Sequence, residues 1–270
     1  MDSDFRISTL GKTGLKVGRL GLAGSYGAPA RTYEKAFEQG CNYFYSGSGR
    51  KRSAMKKAIR TLVAQGHRDK MVISIQTYAR MGMMTKVFFK QALSAMNIDY
   101  ADILMLGWHN SPPAARLMDF AMEMKEKGLA RFIGLSGHNR GLFKTLADDP
   151  RFDLFHIRYN PAHQGAAMDC FPAFEKENPP GLVTYTAIRW GHLLSQRQMP
   201  KGQAPLKARD CYRFSLSDPR VNICLCGPKN MDQMTHALTA LEKGPLLPEE
   251  KEHITRIGNY VHDKSPGFFS

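Results

Sequence analysis

The sequence predicts an α/β fold: a (β/α)8 TIM barrel with an N-terminal β-hairpin in front and an extra C-terminal helix behind. Three observations carry this. Eight short apolar runs alternate with eight helical segments along the chain. Two brief alternating runs around a Gly-Lys-Thr-Gly turn precede the first of them. The length of 270 residues suits one barrel, and no linker or low-complexity stretch divides it, so residues 1–270 read as a single domain.

In order, Phe5 to Leu20 (FRISTLGKTGLKVGRL) reads as the hairpin, and Leu20–Ala23 as the first barrel strand. Thr32–Gln39 is a helix and Asn42–Ser46, aromatic and apolar, the second strand. Ser53–Gln65 is a basic helix, Met71–Thr77 a strand, Thr85–Met96 a helix and Ala101–Leu106 a strand. Pro112–Lys127 has Pro near its start and ends at Gly128, as a helix should. Phe132–Ser136, Leu154–Tyr159, Leu182–Ala187 and Asn222–Cys226 complete the strands. Leu142–Asp148, Ala166–Glu177, Ala208–Leu216 and Met231–Lys243 are the helices between and after them, and Pro248–His262 lies outside the repeat.

Composition narrows the function classes. The hydrophobic share of 43% is that of a globular protein, and no apolar run is long enough to span a bilayer. The start, MDSDFRISTL, has no apolar targeting core, so the cytosol is the default expectation. The five cysteines form no CxxC pair, which argues against zinc-ribbon and iron–sulfur sites. Cys224 and Cys226 share one side of a strand and read as small buried hydrophobes. The net charge is +14, and Arg50, Lys51, Arg52, Lys56, Lys57 and Arg60 run with no acid among them. The outer members read as a solvated helix face, and Arg50 and Lys51 as candidates to meet an anion. These basic residues lack the interleaved aromatics of a nucleic-acid stacking platform.

Strand tips form the active-site mouth of such a barrel. Here they carry Tyr45, Gln76, Trp108, His109, Ser136, His138, Asn139, His156, Arg158, Tyr159, Asn160, Tyr185, Arg189 and Trp190, with almost no carboxylate. That set favours a small anionic ligand. Tyr45 reads equally as a functional phenol or as a packed aromatic, and His156 as a site residue or a hydrogen-bonded core histidine. His109 and His138 are acid–base candidates or plain loop histidines. Arg158 is expected to turn away from His156, toward the helices or the rim. Asp99 and Asp102 fall at the opposite, stability end of the barrel.

The runs LGKTGLKVGRLGL, AFEQGCNYFY, NIDYADILML, MKEKGLARFIGLSGHN, FDLFHIRYN and SDPRVNICLCGPKNMDQM resemble the aldo/keto reductase superfamily, in that family's order and over nearly the whole chain. The resemblance implies a barrel that binds NADP(H) and transfers hydride between nicotinamide and a carbonyl or alcohol. It implies a tetrad of aspartate, tyrosine, lysine and histidine, and here those positions fall on Tyr45, Arg50, Gln76 and Gly107. Tyr45 and His109 are therefore the expected catalytic groups. For the cofactor it points to Ser136, His156, Tyr185, Gly227, Lys229, Asn230 and Gln233, while the adenine-side acid and Asn are replaced by His236 and Ala237. The resulting expectation is an NADP(H)-binding oxidoreductase of this family with a non-standard active site. The alternatives are a ligand-binding or regulatory barrel without catalysis, and a non-redox lyase or isomerase using His109 and Arg50 on an anionic small molecule.

Overall fold

The structure, a computed structural model, describes residues 4–47 and 53–264. Arg50 and Lys51 lie outside the described residues. The hairpin is β1 (Ile7–Thr9) and β2 (Lys16–Gly18), antiparallel in the register Ile7 to Gly18. The barrel strands are β3 (Leu20–Ala23), β4 (Tyr43–Ser46), β5 (Val72–Thr77), β6 (Ala101–Leu106), β7 (Ala130–Gly137), β8 (Leu154–Arg158), β9 (Gly181–Tyr185) and β10 (Ile223–Cys226). They close in the order β10-β3-β4-β5-β6-β7-β8-β9, each parallel to its neighbours. Around them run α1 (Ala30–Glu38), α2 (Ser53–Ala64), α3 (Gly82–Met96), α4 (Ala115–Glu126), α5 (Arg140–Leu146), α6 (Ala166–Asp169), α7 (Ala208–Leu216) and α8 (Met231–Lys243), with α9 (Pro248–Lys264) outside the repeat.

Strand alternation divides the apolar side chains into two cores. Tyr43, Val72, Ile103, Met105, Leu154, Val183, Ile223 and Leu225 fill the barrel, and the larger cluster packs strands against helices. Cys224 and Cys226 belong to the outer cluster, and all five cysteines are buried free thiols. The hairpin plugs the bottom: Leu10 and Val17 join the inner core. Two asparagines sew it on. Asn42 Oδ1 accepts from Gly18 N, and Asn222 Nδ2 donates to the Thr9 carbonyl at 3.0 Å.

Two expectations need correction. The single helix over Ala166–Glu177 is one α-turn, α6, and a 3-10 turn over Phe171–Phe174. Pro172 has no N–H to donate to the fourth carbonyl before it, so the α-ladder cannot run through. Arg158 does not turn away from His156. Side chains two apart on a strand share a face, and Arg158, buried at the tip of β8, pairs in register with Tyr185 on the mouth side. No helix among the described residues is long and apolar enough to cross a membrane.

Candidate active site

The ends of β4, β5 and β6 bring Tyr45, Gln76 and Gly107 together, three of the four positions that the resemblance points to. Tyr45, half-buried, donates its phenolic hydrogen to Gln76 Oε1 in a very short hydrogen bond. The same oxygen meets Ser136 Oγ at 3.4 Å, and Ser136 Oγ accepts from Trp108 N at 3.2 Å. The Gln76 amide fills the space a side chain at position 107 would need: a Cβ on Gly107 would stand 2.4 Å from Gln76 Nε2. At the position where the resemblance implies a histidine, the space is thus filled by the side chain of a neighbouring strand. Burial raises the Tyr45 hydroxyl well above the ordinary phenol pKa, and Tyr78, Tyr43 and Tyr185 act in the same direction.

His109 does not open onto the mouth as an acid. It is 5% exposed, and Arg80, from the loop after β5, donates to His109 Nε2 at 3.0 Å and to the carbonyls of Gly107 and Trp108. A guanidinium only donates, so Nε2 is the acceptor and the proton sits on Nδ1. Burial first, then Arg80, lowers the His109 pKa to about 4. At neutral pH it is an uncharged clamp on the β6 loop. His156 is buried a layer below the mouth, with Nε2 2.8 Å from the Tyr43 hydroxyl and its ring 5.1 Å from that of Tyr45. Burial lowers its pKa to about 3.

On the other side, Tyr185 donates its hydroxyl hydrogen to the Gly137 carbonyl at 2.7 Å. The phenol has one hydrogen, so at the 3.1 Å contact His138 Nδ1 is the donor. Lys229, Asn230 and Gln233 lie apart, at the start of α8. Asn230 Oδ1 accepts from Gln233 N, and Gln233 Oε1 accepts from Lys229 N, a reciprocal cap. Lys229 is exposed at that helix start. Gly227 is required where it stands, since a Cβ there would lie 2.1 Å from the Tyr26 ring. A cation at a helix N-terminus with polar neighbours could hold an anionic group such as a phosphate.

Backbone strain gathers at this face. Trp108, Thr186, Arg189 and Trp190 all adopt φ between 47° and 59°, a region unfavourable to non-glycine residues and most so to β-branched Thr186. The sequence reading missed Arg80, Tyr78 and Tyr26. A signal existed for the first: Arg80 is the lone cation between Lys70 and Lys86.

A family model described as the aldo/keto reductase family matches residues 25–211. Among solved structures, the holo form of aldo-keto reductase AKR11C1 from Bacillus halodurans has a TM-score of 0.78 at 18% identity, over 93% of this chain and 96% of that one. An aldo/keto reductase from Klebsiella pneumoniae in complex with NADP and acetate has a TM-score of 0.77 at 16% identity, over 92% and 94%. At such identities these likenesses speak to the fold. A search of curated proteins finds no match. With the family model spanning well over half of the sequence, the chain belongs to the aldo/keto reductase family.

Proposed function

We propose that the protein is an NADP(H)-binding oxidoreductase of this family in which Tyr45 holds the proton that a reduced carbonyl oxygen would take. The observation that carries the reading is the Tyr45 hydroxyl, fixed on Gln76 Oε1, the oxygen that Ser136 Oγ also meets. Support for the cofactor comes from the cation and cap at α8 and from the Klebsiella relative, a complex with NADP. NADPH, when bound, supplies the hydride. Lys229 would meet its phosphate, and Ser136 and Tyr185 would border its nicotinamide.

Tyr45 keeps its proton tightly. Gln76 is neutral where the family places a lysine, and burial opposes the phenolate. Proton delivery is then slow, so turnover of simple aldehydes is expected to be weak. Titration with NADPH should quench the exposed Trp108 or Trp190. Lys229→Glu should weaken NADPH by about tenfold or more, as loss of a charge-assisted phosphate contact does. Unchanged affinity would remove Lys229 from the site. Tyr45→Phe should lower any carbonyl turnover about a hundredfold, with NADPH affinity retained; equal turnover in the variant would exclude Tyr45 as donor.

A second reading, a nucleotide-binding barrel without turnover, is favoured by one observation: Gln76 occupies the space of residue 107, where the family's substrate-orienting group belongs. Quenching by NADPH with no aldehyde consumption would select it.

A further inference from the structure

We propose that the outer face of α3, with the loop that leads into it, is a docking surface for a lipid bilayer rich in anionic phospholipid. This face is apolar where contact with water favours polar residues. Met81, Met83, Met84, Val87 and Phe88 are 61%, 82%, 44%, 49% and 50% exposed, and Tyr78 on the preceding loop is 39% exposed. Met83 and Val87 are helix-surface neighbours, as are Met84 and Phe88. Thr85, Phe89, Ala92, Leu93 and Met96 are buried on the opposite face. The first two turns of α3 are thus apolar on both sides. A helix of that kind is covered on both in a working protein, and an exposed apolar patch marks a contact surface.

Charge says what covers it. Between Glu38 and Asp99 the chain carries eleven lysines and arginines and a single carboxylate, Asp69. The neighbouring helices α2 and α3 come from this stretch and contain no acid. Lys57 and Arg60 are exposed on α2, and Lys90 is exposed one turn beyond Val87 on α3. Arg60 donates to the Ala95 carbonyl at 2.8 Å, across the junction of the two helices. At the other border Glu123 of α4 is already shared by Lys86 and Lys127.

A second copy of the chain set on this face would bring like charges together, with no acid on either helix to answer them. A bilayer with anionic headgroups answers both features. The methionines and Phe88 enter the acyl boundary, and the lysine stems lie along it with their ammonium groups at the phosphates. These side chains crown the outside of a helix, a shape that meets a flat surface more readily than an inserted helix or strand of a partner. The protein would lie on the bilayer, since no described helix is long and apolar enough to cross one. None of this rests on the oxidoreductase reading.

The test sediments the full chain with unilamellar vesicles. Vesicles of phosphatidylcholine with roughly a third phosphatidylserine should carry the protein down, and phosphatidylcholine alone should carry little. Met83→Ser with Phe88→Ser should weaken binding about tenfold or more. Lys57→Gln with Lys90→Gln should weaken it about twentyfold, at about fivefold for each lysine. Lys243→Gln with Lys251→Gln removes the same charge from α8 and α9 and should stay within about twofold of the parent. All six positions are exposed, so the variants should melt with the parent. No sedimentation with the anionic vesicles would overturn the proposal. So would undiminished binding by the Met83 and Phe88 variant, or an equal loss in the Lys243 and Lys251 variant, which would reduce the contact to net charge. Dimers that depend on Met83 and Phe88, without vesicle binding, would assign the face to a second copy. Binding of an acidic amphipathic peptide in place of vesicles would assign it to a protein partner. Either result overturns the bilayer as occupant.

Discussion

Asp102→Ala is expected to destabilise the protein by about 3–5 kcal/mol, the cost of stripping one partner from a buried ion pair. Asp102 is 1% exposed at the start of β6. Its carboxylate accepts from Arg68 at 3.0 Å, from Arg131 at 2.9 Å and from the Ile73 backbone N–H at 2.9 Å. It therefore ties β5, β6 and β7 together at the barrel bottom. Alanine would leave the largely buried Arg68 guanidinium without its carboxylate and a buried N–H unpaired. The other ends of these same strands carry Gln76, Gly107 and Ser136, so loosening the base also loosens the mouth. In a thermal melt the variant should fall by roughly 6–10 °C, by the size scaling for a chain of this length. Asp99, exposed three residues earlier, is the control, and its alanine variant should stay within about 0.5 kcal/mol of the parent. If the two variants melt together, the carboxylate at 102 does not hold the base.

The barrel was readable in the residues because it is repetitive. Each strand is a short apolar run, and several helices have marked boundaries, α5 and α8 capped by Asn139 and Asn230 and α4 followed by Gly128, so period and punctuation agree along the chain. Where the agreement lapsed, one side chain decided the outcome. Pro172 broke the helix after β8, and its position in the sequence carried that information. The site was harder. That Gln76 fills the space beside Gly107 depends on the register of β5 against β6, in which Gln76 stands opposite Met105. A one-dimensional reading sees a lost lysine and a lost histidine and cannot see that the first replacement covers the second. Arg80 escaped for another reason: its stem crosses from one loop to the next, and no periodicity reports such a reach. The misplacement of Arg158 was different in kind. Strand alternation already put it on the side of His156.

Acid should unfold the protein steeply, and the buried imidazoles give the sign. His109, His156 and His163 are 5%, 1% and 7% exposed. Burial lowers their pKa values to about 4, about 3 and about 3, with Arg80 adding to the effect at His109 and Arg158 and Arg189 at His163. In the unfolded chain each imidazole protonates near its ordinary value of about 6.5. The folded state then binds fewer protons than the unfolded state as pH falls, so stability is full above pH 6.5 and is lost below it, until each folded pKa is reached. One such group contributes up to about 1.4 kcal/mol per pH unit, and three together up to about 4. Two pH units at that slope match the whole stability of an ordinary domain, about 5–15 kcal/mol. Denaturant titrations at pH 7, 6 and 5 should therefore show the midpoint dropping faster with each step. His156→Gln keeps an acceptor for the Tyr43 hydroxyl and removes one titrating group, so the slope should fall by about a third. Equal midpoints at pH 7 and pH 5 would mean that the interior already shelters the charged imidazoles, against the absence of any carboxylate among the groups that shift them.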